Sequence, residues 1–137
     1  DETLLIWTIS RQEATGQFLQ RDTFQLNGQV QRFYELCSDP ATSVSDIKRL
    51  GESIATMLLD PIKMQLKRYE RIVIVPHGST HRLPFHALTW QGDWLAATHL
   101  VSYRPNASSL RVGKVRRMSA ETPALIVGNP SNMSVLV

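Results

Sequence analysis

The sequence predicts an α/β fold, and three observations carry the prediction. A β-branched apolar run, Arg71-Ile72-Val73-Ile74-Val75, stands between a helical pattern and a Pro/Gly break. A second run of the same character, Ala124-Leu125-Ile126-Val127, ends in Gly128-Asn129-Pro130. Segments with apolar residues at helical spacing precede and separate them. Continuous β-branched runs need both faces covered, which is how parallel strands flanked by helices read. The chain opens differently, with a hairpin pattern, so the expected architecture is an α/β sheet with an N-terminal β-hairpin and helices.

The elements follow in order. Leu4-Leu5-Ile6-Trp7-Thr8-Ile9 is β-branched and aromatic and reads as a strand. The polar stretch Ser10 to Gly16 reads as a long loop, and Gln17 to Phe24 as the returning strand. Asn27 is placed as the cap of a helix carrying Val30, Phe33, Tyr34 and Cys37 on one face, stopped by Asp39-Pro40. A second helix starts near Ser43 or Ser45, with Ile47, Leu50, Ile54, Met57 and Leu58 on its apolar face. Asp60-Pro61 begins a short further helix containing Ile62, Leu66 and Tyr69. After the strand at 71–75, Pro84 starts a short helix to Leu88. A small hairpin turns at Gln91-Gly92-Asp93, and Leu100-Val101-Ser102-Tyr103 is another strand. A helix from Asn106 to Met118 and a buried strand at 124–128 complete the reading.

Composition narrows the function classes. With 137 residues, 42% hydrophobic and only seven Gly and seven Pro, the chain is neither disordered nor a repeat fibre, and it can bury a core as one domain. No window approaches a run of about 18 apolar residues, so no membrane span is expected. The single cysteine, Cys37, excludes a disulfide framework and a Cys-based zinc site. A reducing, cytoplasmic compartment is the expectation. The net charge of +3 is concentrated, since Arg104, Arg111, Lys114, Arg116 and Arg117 lie in residues 104–117 without an acid among them. That cluster could meet phosphates, but it lacks interleaved aromatics and also describes a solvated helix face.

The candidate chemistry is sparse. His77 and His81 have an i, i+4 spacing, yet Gly78 and Pro84 place them on a loop with no cysteine or carboxylate beside them, so they read as solvent-facing or satisfied groups. Cys37 lies on the apolar stripe of its helix and reads as core, not as a nucleophile. The loop from Val75 to His81 has one glycine and is neither GxGxxG nor a P-loop, so no cofactor is expected. No residue receives a catalytic, cofactor-binding or metal-binding assignment.

The stretch Ile72-Val73-Ile74-Val75-Pro76-His77-Gly78-Ser79-Thr80-His81-Arg82-Leu83-Pro84-Phe85-His86-Ala87-Leu88 resembles the "ivPdGpLhrlPfeaL" signature of the CHAT family, caspase-like domains commonly attached to tetratricopeptide repeats. His77 stands where the family tends to have Asp, and Ser79-Thr80 where it tends to have Pro-Leu. The opening hairpin, the segment from Leu100 to Ser108 and the strand ending Val127-Gly128-Asn129-Pro130 agree in order, so the resemblance spans the chain. It implies clan CD cysteine peptidase ancestry, with a His–Cys dyad carried by elements after the strand matching residues 124–128. Residues 1–137 are therefore expected to form the N-terminal portion of a CHAT domain, with the catalytic half absent. The expected partners are the remainder of that domain, tetratricopeptide repeats, a protein substrate of the complete enzyme, and possible self-association through the 124–128 strand. A non-enzymatic CHAT-like scaffold is the alternative, and nucleic-acid contact through 104–117 is a weaker one. Within the signature, Gly78 allows a tight reversal, while Leu83, Phe85 and Leu88 pack back on the sheet. His81 or Arg82 is expected to bond loop carbonyls.

Overall fold

A computed structural model describes residues 3–20, 23–106 and 108. The expected helix at 106–118 and strand at 124–128, and with it the self-association expected there, lie outside the described residues, apart from Asn106 and Ser108.

The chain begins with β1 (Thr3–Ile9) paired antiparallel to β2 (Ala14–Gln20), in a register that sets Leu5 against Phe18, Trp7 against Gly16 and Ile9 against Ala14. The expected strand at 17–24 is thus corrected to 14–20. The cause is Ser10. Its Oγ accepts from the backbone N–H groups of Gln12 and Glu13 at 3.2 and 3.1 Å, while its own N–H donates to the Glu13 carbonyl at 2.7 Å. This Ser-turn closes the loop sooner than the glycine farther on could.

Helix α1 (Thr23–Ser38) starts before Asn27, so Asn27 is not its cap and Phe24 is helical and 86% exposed. The buried stripe is Leu26, Val30 and Phe33, a spacing of i, i+4 and i+7 that includes Leu26. Tyr34 lies about 100° round the helix from Phe33 and is exposed. Cys37 continues the stripe only into the last turn, where it is exposed and not core.

Helix α2 (Val44–Leu58) begins as expected, with Ser43 Oγ accepting from Ser45 N–H at 3.2 Å. Ile54 and Leu58 are buried, and Ile47, Leu50 and Met57 pack half-buried against them. A 3-10 turn at Asp60–Ile62 carrying Pro61 leads into α3 (Lys63–Arg68). β3 (Arg71–Ile74) pairs parallel with β6 (Leu100–Tyr103), which bears out the parallel reading. Between them come two 3-10 turns, Gly78–Arg82 and Phe85–Ala87, then β4 (Thr89–Trp90) and β5 (Asp93–Trp94) as a hairpin, and α4 (Leu95–Thr98). The hairpin turn sits at Gln91 and Gly92, both with positive φ (54° and 90°), the primed-turn geometry that matches strand twist.

The core joins α1 and α2 to the 83–95 segment, with Phe33, Ile54, Leu88 and Leu95 fully enclosed. Ile72, Ile74 and Val101 turn toward it. The other face of the parallel pair is open: Val73 is 50% and Leu100 63% exposed. The described helices and turns pack on one side of this pair, so they do not supply the cover that a β-branched run needs on its second face. Among the described residues, no helix is long and apolar enough to cross a membrane.

Candidate functional site

The signature stretch leaves β3 at Ile74 and turns at once. Gly78 adopts φ +58°, a left-handed conformation that glycine takes without Cβ strain. The turn holds itself together: His77 N–H donates to Thr80 Oγ1 at 2.9 Å, and the same hydroxyl donates to the His77 carbonyl at 2.7 Å. Two side chains then tie the turn to α1. Ser79 Oγ donates to Asn27 Oδ1, and Arg82 Nη1 donates to Gln31 Oε1 at 3.1 Å. Asn27 and Gln31 are one helical turn apart and so share a face of α1. Arg82 thus bonds a side-chain amide and not the loop carbonyl expected of it.

Beyond this turn the chain dives inward. Leu83, Phe85 and Leu88 are buried, as the sequence leads one to expect. Tyr103 at the end of β6 closes over this segment, with its ring 6.4 Å from Phe85 and 6.0 Å from His86. Its hydroxyl lies 2.9 Å from His86 Nδ1 and accepts from the His86 N–H at 3.1 Å. Burial pushes the Tyr103 phenol up from its ordinary range, against smaller lowering effects from the backbone groups of His86 and Phe85. Together these contacts make the stretch a brace between the C-terminal ends of β3 and β6 and the flank of α1.

The histidines divide. His77, His81 and His86 are exposed, whereas His99 is buried, its Nε2 3.1 Å from the Leu66 carbonyl and its Nδ1 2.8 Å from Thr98 Oγ1. His99 also lines a cleft of about 260 Å³ with Tyr69, Glu70 and Trp90. Both its nitrogens are engaged, so it is not poised there as a base. Among the described residues no group of three or more His, Cys, Asp or Glu could hold a metal ion. Cys37 lies on the last turn of α1, and partial burial pushes its thiol up, the opposite of what activates a nucleophile. Of the basic cluster at 104–117, only Arg104 is described. Its N–H donates to the Ile74 carbonyl at 2.9 Å, extending the parallel pairing.

The Ser79–Asn27 and Arg82–Gln31 ties escaped the sequence reading. Each joins residues some fifty positions apart, and only the polar i, i+4 pair on α1 hinted at a second face in use.

An α/β unit with a parallel pair and a braced loop after its first strand is the class this geometry defines. The CHAT domain model matches residues 48–136, well over half of the chain, from within α2 through the signature and beyond. The chain belongs to the CHAT domain family. Comparison with curated proteins and with solved structures returns no match.

Proposed function

We propose that residues 1–137 are the N-terminal portion of a caspase-like, clan CD cysteine peptidase domain, supplying its scaffold while the His–Cys pair comes from other residues. The observation that carries this reading is the position of Cys37. It is the only cysteine of the chain, it sits on the outer end of α1, and its thiol is held toward the protonated form. A cysteine peptidase needs a thiolate beside a base, and Cys37 is not built as one. The open face of β3 and β6, with Val73 and Leu100 exposed, is the surface on which the rest of the domain would seat. Tetratricopeptide repeats as neighbours and a cytoplasmic setting belong to the same proposal.

The same open face supports a second reading, a CHAT-like scaffold that binds without cutting. Two measurements separate the readings. Peptidyl acyloxymethyl ketones and a broad fluorogenic peptide library should neither label Cys37 nor be cleaved. Peptide-directed labelling of Cys37 would overturn the proposal outright. Reading the coding frame past the Val137 codon should then reveal a strand ending His-Gly and a later strand ending in Cys, and a frame with neither hands the case to the scaffold.

A further inference from the structure

The β1–β2 hairpin carries large apolar side chains on both faces, and among the described residues only one face packs against the core. Leu4 packs against the core, and Ile6 and Leu19 on the same face are half-buried. On the opposite face Leu5, Trp7, Ile9 and Phe18 are 39%, 59%, 70% and 73% exposed. Ala14 and Gly16 lie on that face too, with Gln20 at its open end, and none of these residues is charged. Aromatic side chains carry about 150–250 Å² each and Leu and Ile lie toward the lower end of that range, so at these exposures the four present on the order of 500 Å² of apolar surface. That lies toward the upper end of the largest patch on an ordinary monomer, roughly 300–600 Å².

We propose that this face is a dimerisation surface, on which a second copy of the chain docks hairpin against hairpin about a two-fold axis running along the strands. Three observations favour a second copy as the occupant. First, such an axis sets each residue over the cross-strand partner of its counterpart. Phe18 then meets Leu5 of the other copy and Ile9 meets Ala14, a larger side chain over a smaller one at both ends. Second, the centre is flat. The Trp7 ring lies down on Gly16, so close that a Cβ there would stand 3.0 Å from it, and two rings lying flat can approach across the axis. Third, an isologous contact places identical groups near one another, and a face without charge brings no like charges together. Two such patches, fully covered, bury on the order of 1,000 Å², the lower bound for a specific interface, and two ribbons of equal twist pack face to face in the aligned manner of β-sandwiches.

The test is sedimentation velocity on the full chain from low micromolar to submillimolar concentration, with hydroxyl-radical footprinting of Trp7. The expected result is a monomer–dimer equilibrium in which Trp7 modification slows as dimer forms. Phe18→Asp should weaken the dissociation constant at least about thirtyfold. Ile9→Lys, at the strand end, should do likewise while keeping the parent's far-ultraviolet circular dichroism, so a folding failure at Phe18 leaves the proposal testable. Val73→Asp, on the open face of the parallel pair, should leave the equilibrium unchanged. A monomer at every concentration overturns the proposal, whether Trp7 is accessible or is shielded by other residues of the chain. A dimer that survives both hairpin substitutions overturns it too, and loss of that dimer with Val73→Asp would assign the contact to the parallel sheet.

Discussion

Tyr103 and His86 lock the end of β6 to the loop that follows β3: one phenol oxygen accepts from the His86 N–H at 3.1 Å and lies 2.9 Å from His86 Nδ1. The phenol oxygen accepts from the backbone N–H, and the tautomer of the His86 ring sets which partner donates in the second contact. A phenolate would sit in a partly desolvated place, which disfavours it.

The pH dependence follows from the direction of the Tyr103 shift. Desolvation, its leading cause, raises the phenol above its ordinary value of about 10. A group raised on folding contributes stability that is fully present below the unfolded value and is lost as pH climbs through the folded one. Urea melts should therefore show a loss of stability on the alkaline side of about pH 10 that is smaller in Tyr103→Phe. At neutral pH, Tyr103→Phe should cost about 1 kcal/mol through the lost hydrogen bonds. Identical alkaline profiles for the two proteins would contradict this.

Two helical glycines should respond in opposite directions to the same substitution. At Gly51, inside α2, an added Cβ would stand 3.1 Å from the Phe33 ring and 3.1 Å from the Thr89 backbone nitrogen. Phe33 is fully buried and Thr89 N is main chain, so neither yields easily. At Gly28, inside α1, nothing lies within 4 Å of the added atom. Alanine gains about 1 kcal/mol over glycine in a helix interior. Gly28→Ala should therefore stabilise by about 0.5–1 kcal/mol, while Gly51→Ala should lower stability despite the same propensity gain. Denaturant midpoints of the two variants, measured side by side, check the contrast.

The legible parts of this fold are those in which local chemistry and tertiary packing agree. Ser43 caps α2, Pro61 opens the turn after it, and Gly92 marks the β4–β5 turn, each through a backbone requirement that the residue type alone reveals. The start of α1 is not legible, because Phe24 suits a strand as well as an exposed helical position and Leu26 lies ahead of the cap that Asn27 suggests. Alternation along β1 separates two sets of residues but does not say which set is covered, since Leu4 and Leu5 are equally apolar. The brace was half legible: its buried anchors Leu83, Phe85 and Leu88 stand out, whereas its ties to Asn27 and Gln31 depend on where α1 happens to lie.

Cys37 should behave as an ordinary, slightly reluctant thiol. Partial burial raises it, so less thiolate is present at neutral pH than in a free cysteine. Iodoacetamide alkylation should be slower than that of a reference thiol at neutral pH, with the midpoint of its pH profile above about 8.5. Cys37→Ser, at an exposed position, should change stability by less than about 0.5 kcal/mol. An alkylation rate exceeding that of the reference thiol would show an activating neighbour and reopen the nucleophile reading.

The brace itself is testable by separating its backbone from its side chains. Gly78 has φ +58° and nothing within 4 Å of where a Cβ would be, so a substitution there meets backbone strain and no clash. Gly78→Val, β-branched in a left-handed conformation, should cost about 1–3 kcal/mol. Gly78→Asn, a residue that tolerates this region, should cost clearly less. Phe85→Ala removes a buried ring that touches Tyr103 and should cost about 3–5 kcal/mol. Arg82→Ala loses one exposed bond to Gln31 and should cost about 0.5–1.5 kcal/mol, and His81→Ala, exposed in the same turn, less than about 0.5 kcal/mol. Urea melts of the five variants should rank Phe85→Ala first, Gly78→Val above Gly78→Asn, and His81→Ala last. If Gly78→Val and Phe85→Ala both melt with the parent, the stretch does not hold the ends of β3 and β6 in place. Its exposed groups, His81 and Arg82 first, would then be better read as contacts for a partner or substrate than as parts of a structural tie.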